Sequence, residues 1–341
     1  MNNSHCEMMN EEVISQLEAM RRQECGPYAC CDYLSQQRFD PTECEFGTPT
    51  TPQSATWSNK KSQQSTPLRP VSRRKMIAWC YQIVDICGFD HESVDIAVSY
   101  LDRFLMTKSG MPALHDRKTY QLVAMTCLYV AIKLFEPEVI DPSIVSHLSR
   151  GAYTEEDVTD MEMVILSALQ WRVQPPTAMA FVRHFLALAD VEERTKNLIV
   201  GASRVQIENA VKDYDFISIN PSMIAAASIL NTARFMDRTS LPDGSRCSLS
   251  LVLEQHGSNR LIYGNKMREI RDKLLNTVRN KEVANDQQGA SCKVSSPAAS
   301  NSVQEKRAAS PISVQKGPSY IMGSFVSSFS NAFQASGQIW S

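Results

Sequence analysis

From Val71 to Val173, apolar positions recur at helical spacing in five successive segments. In the first, about residues 72–87, Met76, Trp79, Cys80, Ile83 and Cys87 share one face, and Gly88 is the usual residue type just past a helix end. The second starts near Asp90 and runs to about Leu105, with Val94, Ala97, Val98, Leu101 and Leu105 as its stripe. The third, about 117–135, is apolar on nearly every side through LVAMTCLYVAI, which marks a central helix surrounded by others. A fourth opens at Asp141-Pro142, a cap followed by proline at the first helical position. The fifth opens at Thr154 with Asp157 three residues on, a capping-box-like start, and carries Val158, Met161, Ile165 and Leu169. Pro175-Pro176 stops the pattern.

The pattern then partly repeats, with helices expected at about 177–189, 191–214, 221–236, 247–256 and 260–279. PSMIAAASILNTAR, near 221–234, is similar to the central helix of the first set, and the two centres lie about one unit apart, as in a tandem repeat. Ahead of both sets, residues 10–24 read as a short amphipathic helix capped by Asn10, with Val13, Leu17 and Met20 on one stripe. Residues 41–70 are rich in Pro, Thr and Ser without periodicity and read as linker. Beyond about Glu282 the composition is again that of linker or disordered chain. Tyr320–Trp340 differs: it is uncharged, and Ile321, Phe325, Phe329 and Phe333 recur every four residues. It reads either as a sticky disordered tail or as a helix that docks on a partner or back on the protein. The expected fold is all-α: two five-helix units, 71–173 and 174–282, flanked by an N-terminal helix and linker (1–70) and a disordered tail (283–341).

Charge changes the picture little, since 35 basic residues face 37 acidic ones without a long basic block, so general nucleic-acid binding is not expected. No apolar run reaches the roughly 20 residues of a membrane span, and MNNSHCEMMNEE lacks a signal-peptide core. The cysteines are single apart from Cys25, Cys30 and Cys31, with no C-x-x-C pair, which predicts free thiols in a reducing, intracellular compartment. There is no Gly-rich phosphate loop, G-x-S-x-G or H-E-x-x-H, and His91, His115, His147 and His184 stand isolated, as caps or surface residues. No catalytic, metal or cofactor site is expected. Two charges stand out: Lys133 and Glu162, each on a helix with mostly apolar neighbours, must be paired or await a partner.

The segment SRRKMIAWCYQIVDICGFDHESVDIAVSYLDRFL resembles the opening of the cyclin box. QLVAMTCLYVAIKLFEP is similar to its third helix, and YTEEDVTDMEMVILSALQWRVQPPTAMAFVRHFL to its fifth helix and exit. The resemblance covers the first unit nearly end to end, the second chiefly through NPSMIAAASIL, and the tails not at all. It implies a buried ion pair between Arg73 and Asp102 tying the first two helices, a core role for Leu122, and kinase binding through Lys133 and Glu162. In that family the lysine and glutamate bond main-chain groups beside the regulatory helix of a cyclin-dependent kinase. The helix rotates so that its Glu pairs with the catalytic Lys. The implied function is thus a regulatory subunit, in a heterodimer, that activates a Ser/Thr kinase in nucleus and cytoplasm to control cell-cycle progression. Ubiquitin-ligase machinery would be a further partner.

The chain departs from the family at the hydrophobic substrate-docking patch. Ser72 and Lys75 replace apolar residues, while Trp79, Tyr120 and Gln121 remain as a degenerate patch, with Trp79 mainly core. Phe135-Glu136 stands where an acidic pair is usual, a change that bears on partner choice. No Leu-x-Cys-x-Glu occurs, and no Arg-x-x-Leu in the first 70 residues. Thr48, Thr51, Thr66, Ser296 and Ser310 each precede proline and are candidate phosphosites, the first three in a stretch similar to the labile regions of short-lived cyclins. The nearest rival reading is a transcription-type cyclin serving a polymerase-directed kinase. An initiation factor built from the same boxes would need a zinc ribbon and a basic surface, and the sequence has neither.

Overall fold

The computed structural model describes residues 2–35, 68–138, 140–257 and 264–289. Thr48, Thr51, Thr66, Ser296, Ser310 and the stretch Tyr320–Trp340 lie outside them. Among the described residues every regular element is helical.

After α1 (Asn2–Glu24), the first repeat comprises α2 (Pro70–Cys87), α3 (Glu92–Leu105), α4 (Met111–His115), α5 (Arg117–Phe135), α6 (Pro142–Leu148) and α7 (Glu155–Ala168). Local chemistry sets its helix ends. Gly88, at φ 70°, turns the chain after α2, and its N–H returns to the Asp85 and Val84 carbonyls. Asp116 accepts from the Lys118 and Thr119 N–H groups to start α5, and Asp141 accepts from Ser143 N–H to start α6. Thr154 and Asp157 form a reciprocal capping box on α7. Every residue of α5 from Leu122 to Ile132 is buried, so α5 is the axle of the repeat.

The second repeat comprises α8 (Ala178–Leu188), α9 (Glu193–Lys212), α10 (Pro221–Phe235), α11 (Asp243–His256) and α12 (Asn265–Gly289). Here α10 is the axle. Ala225, Ala226 and Ala227 are buried along it, and their small side chains let neighbouring helices approach closely.

Three features depart from the sequence pattern. The five-residue helix α4 is too short to register as periodicity. Gly110, just before it, is needed for close approach: a Cβ there would lie 2.0 Å from the Phe104 carbonyl oxygen. The N-terminal helix begins at Asn2, so Asn10 is interior and does not cap it; a cap requires the chain to enter the helix from an extended turn, and here helix precedes it.

Two cores result, one per repeat, and the N-terminal segment belongs to both. Leu17 of α1 is buried in the second core, while Tyr33 is buried in the first. Between them Glu24 accepts from the N–H and hydroxyl of Ser222 at the start of α10 (2.9 and 2.5 Å). Asp32 accepts from the Tyr214 hydroxyl at 2.8 Å. Residues 24–34 therefore strap the two repeats together.

A second junction lies at the start of α3, where three consecutive residues each reach the second repeat. Asp90 pairs with Arg204 at 3.3 Å, His91 with Glu208 at 2.6 Å, and Glu92 with Arg183 at 2.7 Å. His91 also meets Asp85 through its other ring nitrogen at 2.7 Å. This corrects the reading of His91 as isolated. Its two carboxylate partners come from positions six and 117 residues away, a juxtaposition only the folded chain makes.

Candidate functional site

Arg73 and Asp102 meet face to face. Arg73 Nε donates to Asp102 Oδ1 at 2.9 Å and Nη2 to Oδ2 at 2.6 Å, with the residues only 3% and 4% exposed. The remaining donor Nη1 reaches the Val211 carbonyl in α9 at 2.8 Å. Asp102 Oδ1 also accepts from the Tyr33 hydroxyl at 2.9 Å. One buried pair thus joins α2, α3, the second repeat and the N-terminal strap. Burial opposes the charge on Arg73, but the Asp102 carboxylate outweighs it and holds the guanidinium well above its ordinary pKa. Tyr33 had no sequence signal, since it sits in a stretch without periodicity and meets Asp102 only through tertiary packing. Leu122 is buried at 4% exposure.

Lys133, at the C-terminal end of α5, and Glu162, in the middle of α7, also come together. Lys133 Nζ donates to Glu162 Oε1 and Oε2 at 2.9 and 3.2 Å. In the free chain, then, neither charge is left waiting; each satisfies the other, because the packing of α7 on α5 sets the two side chains within reach. The pair is lopsided: the lysine side chain is 42% exposed and the glutamate 10%. Hydrogen bonding to Glu162 holds the Lys133 ammonium above its ordinary pKa, and the Tyr129 ring lies 5.4 Å from it. On the same helix ends, Leu134, Phe135 and Met163 are exposed by 41–51%. An ion pair with exposed apolar residues beside it in sequence on both helices has features of a contact surface.

The residues read as a degenerate docking patch are differently placed. Trp79 and Tyr120 are buried, and Trp79 lies against Ile83, Met125, Ile144 and Leu148 in the packing of α2, α5 and α6. The surroundings of the Tyr120 hydroxyl include Arg73 and Asp102. Gln121 accepts from the Tyr153 hydroxyl at 3.3 Å. Neither aromatic offers exposed apolar area, so Trp79 and Tyr120 act as core residues here.

Comparison with known proteins agrees with this architecture. The family description "Cyclin, N-terminal domain" matches residues 49–174 and "Cyclin, C-terminal domain" matches residues 176–255, together more than half of the chain. Cyclin-D4-1 of Arabidopsis thaliana is 28% identical over 195 residues, covering 54% of this chain and 60% of the relative. Cyclin-B2-1 of the same plant is 30% identical over 174 residues, covering 51% and 38%. G1/S-specific cyclin-D1 of Bos taurus is 29% identical over 164 residues, covering 48% and 54%. The chain thus spans 60% or less of the length of these relatives. Among solved structures, a viral cyclin from herpesvirus saimiri shares the fold with a TM-score of 0.51 at 21% identity, over 62% of this chain and 88% of that one. With both domain types matched in order on two helical repeats, the chain belongs to the cyclin family, a family of kinase regulators that are not themselves catalysts.

Proposed function

We propose that this cyclin binds and activates a cyclin-dependent Ser/Thr kinase, and that the face formed by the end of α5 and the middle of α7 receives it. The observation that carries the reading is the Lys133–Glu162 pair, fixed on two packed helices whose next residues in sequence, Leu134, Phe135 and Met163, are exposed. The pair is reached by solvent at its lysine end, which is 42% exposed, so Lys133 can turn to new partners without being stranded in a dry interior. Opened, it offers an ammonium donor and a carboxylate acceptor, fixed on two packed helices, for main-chain carbonyl and N–H groups beside the kinase's regulatory helix. Helix rotation in the kinase then brings its Glu to its catalytic Lys, and catalysis belongs wholly to the partner.

A role in cell-cycle progression is the favoured branch, supported by relatives named as G1/S-specific and G2/mitotic-specific cyclins. Such a subunit would work in nucleus and cytoplasm, and turnover through ubiquitin-ligase machinery would be directed by the phosphorylated threonines Thr48, Thr51 and Thr66. The deciding experiment is Lys133→Ala combined with Glu162→Ala. Removing both partners leaves no orphan charge, so the helical circular dichroism should persist while kinase co-purification and kinase activity are lost. A double variant that still recovers an active kinase overturns the assignment. The identity of the kinase recovered with the unaltered chain separates the cell-cycle branch from the transcription-type alternative.

A further inference from the structure

The second repeat gathers positive charge where α10 meets α12. Asn231 of α10 and Arg271 of α12 hold one another: Arg271 Nε donates to Asn231 Oδ1 at 3.0 Å, and Asn231 Nδ2 donates to the Arg271 carbonyl at 3.1 Å. Three residues from each end of this clasp stand further arginines, Arg234 and Arg268, on the same helix faces by helical spacing. Both are exposed, and neither side chain has an ion pair or hydrogen bond among the described residues. Burial first, then the charge of Arg234 and, after the opposing pull of Asp272, that of Arg268 act on the Arg271 guanidinium, with a net lowering of its pKa. Beside Arg234 stands Phe235, 67% exposed. Asp272 offsets part of this charge, but the three guanidiniums outnumber it and repel one another.

We propose that Arg234, Arg268 and Arg271 form a phosphate-binding site, and that its occupant is phosphorylated Ser310 of this chain's own C-terminal segment. Guanidinium forks match the oxygens of a phosphate in pairs, and three of them can neutralise a dianion. The same helix that carries Arg268 and Arg271 leads into the tail, so chain length selects the serine. Gly289, the end of α12, lies about 32 Å along the helix from Arg268. Ser296 has at most about 25 Å of chain from Gly289 and would return only fully extended, whereas Ser310 has about 75 Å and returns with slack. Pro311 and Ile312 follow Ser310 and can lie on the exposed Phe235 ring. Without phosphate the neighbouring Lys306, Arg307 and Lys316 outweigh Glu305 and repel the site, so occupancy depends on modification. Ser310-Pro311 suits a proline-directed kinase: the Ser310 hydroxyl loses its proton as it takes the terminal phosphoryl group of ATP, and ADP leaves. The site does not depend on the kinase-binding reading, because a synthetic peptide carries its phosphate already.

The test uses fluorescence anisotropy with a labelled peptide of residues 304–316, phosphorylated at Ser310, added to the full chain bearing Ser310→Ala. It should bind at least about tenfold more tightly than its unphosphorylated twin, given the weight of the dianion. Arg234→Ala with Arg268→Ala should abolish that preference, whereas Arg238→Ala, which removes the partner of Asp243, should leave it intact. The double variant should melt no lower than the parent, since it relieves repulsion; this separates loss of the site from loss of the fold. Finally, full chain phosphorylated at Ser310 should refuse the labelled peptide, and chain phosphorylated at Ser296 should accept it. Equal binding of the two peptides, or undiminished binding to the double variant, overturns the site. Acceptance of the peptide by the Ser310-phosphorylated chain overturns the occupant and assigns the site to a phosphopeptide of another protein.

Discussion

Asp102→Asn removes one negative charge and almost no volume from a wholly buried ion pair. The amide oxygen can still accept from Tyr33 and from Arg73 Nε, which now sit 2.9 Å from Asp102 Oδ1. The amide nitrogen, however, is left facing Arg73 Nη2, which donates to Oδ2 at 2.6 Å in the native pair. A guanidinium 3% exposed would lose its counter-charge without gaining water. Breaking such a pair from one side costs about 3–5 kcal/mol, a large part of the stability of an ordinary domain. The informative step is to add Arg73→Met to Asp102→Asn. This removes the stranded charge and leaves as its main new penalty the Val211 carbonyl, whose Nη1 donor stood at 2.8 Å. An unsatisfied carbonyl costs about 1–3 kcal/mol, less than the stranded guanidinium. The double variant should therefore be no less stable than Asp102→Asn alone. Urea unfolding of the two single variants, the double and the parent measures the coupling directly. If Asp102→Asn costs under about 1 kcal/mol, or if the two single losses simply add, the pair is not the enclosed junction described here.

Stability should fall as pH rises, through Asp95 between about 4 and 7 and through His91 above 6.5. Burial opposes the charge on His91, but its bonds to Glu208 and Asp85 prevail and raise its pKa above 6.5, so its contribution is complete below 6.5 and fades as pH rises through the higher folded value. Burial raises Asp95 from 3.8 to about 7, so its ionisation erodes stability between those values. Thermal melts across about pH 4 to 9, with Asp95→Asn flattening the lower part of the fall and His91→Gln the upper, check the sign; parent and variant curves of identical slope would contradict the assignments. Gly110→Ala would drive a methyl group to 2.0 Å from the Phe104 carbonyl oxygen, a backbone atom that cannot swing aside. It should cost at least about 1–3 kcal/mol in denaturant unfolding, and an unchanged midpoint would refute the close approach.

Local signals made the helices readable. Asp141-Pro142, Thr154 with Asp157, and Gly88 each act within a few residues of themselves, and each starts or ends the helix where its chemistry requires. The all-apolar run of α5 and the alanines of α10 likewise declared two buried axles, because a helix apolar on every side has to be enclosed. The pairing of Arg73 with Asp102 came from resemblance to a family, which set Lys133 and Glu162 toward a kinase rather than each other; no periodicity links residues 29 positions apart.

What the sequence by itself determined was therefore the alphabet of helices, their caps and the two cores. Only the tertiary structure decided how the repeats are joined. Tyr33 reaching Asp102 across 69 positions, and His91 reaching Glu208 across 117, depend on where whole helices come to rest. The same holds for the candidate kinase face. The sequence marked Lys133 and Glu162 as charges needing partners; the packing of α7 on α5 made each the other's partner and left the adjacent Leu134, Phe135 and Met163 exposed. Burial and pairing are properties of enclosed volume, and a chain acquires them only when distant segments close around the same space.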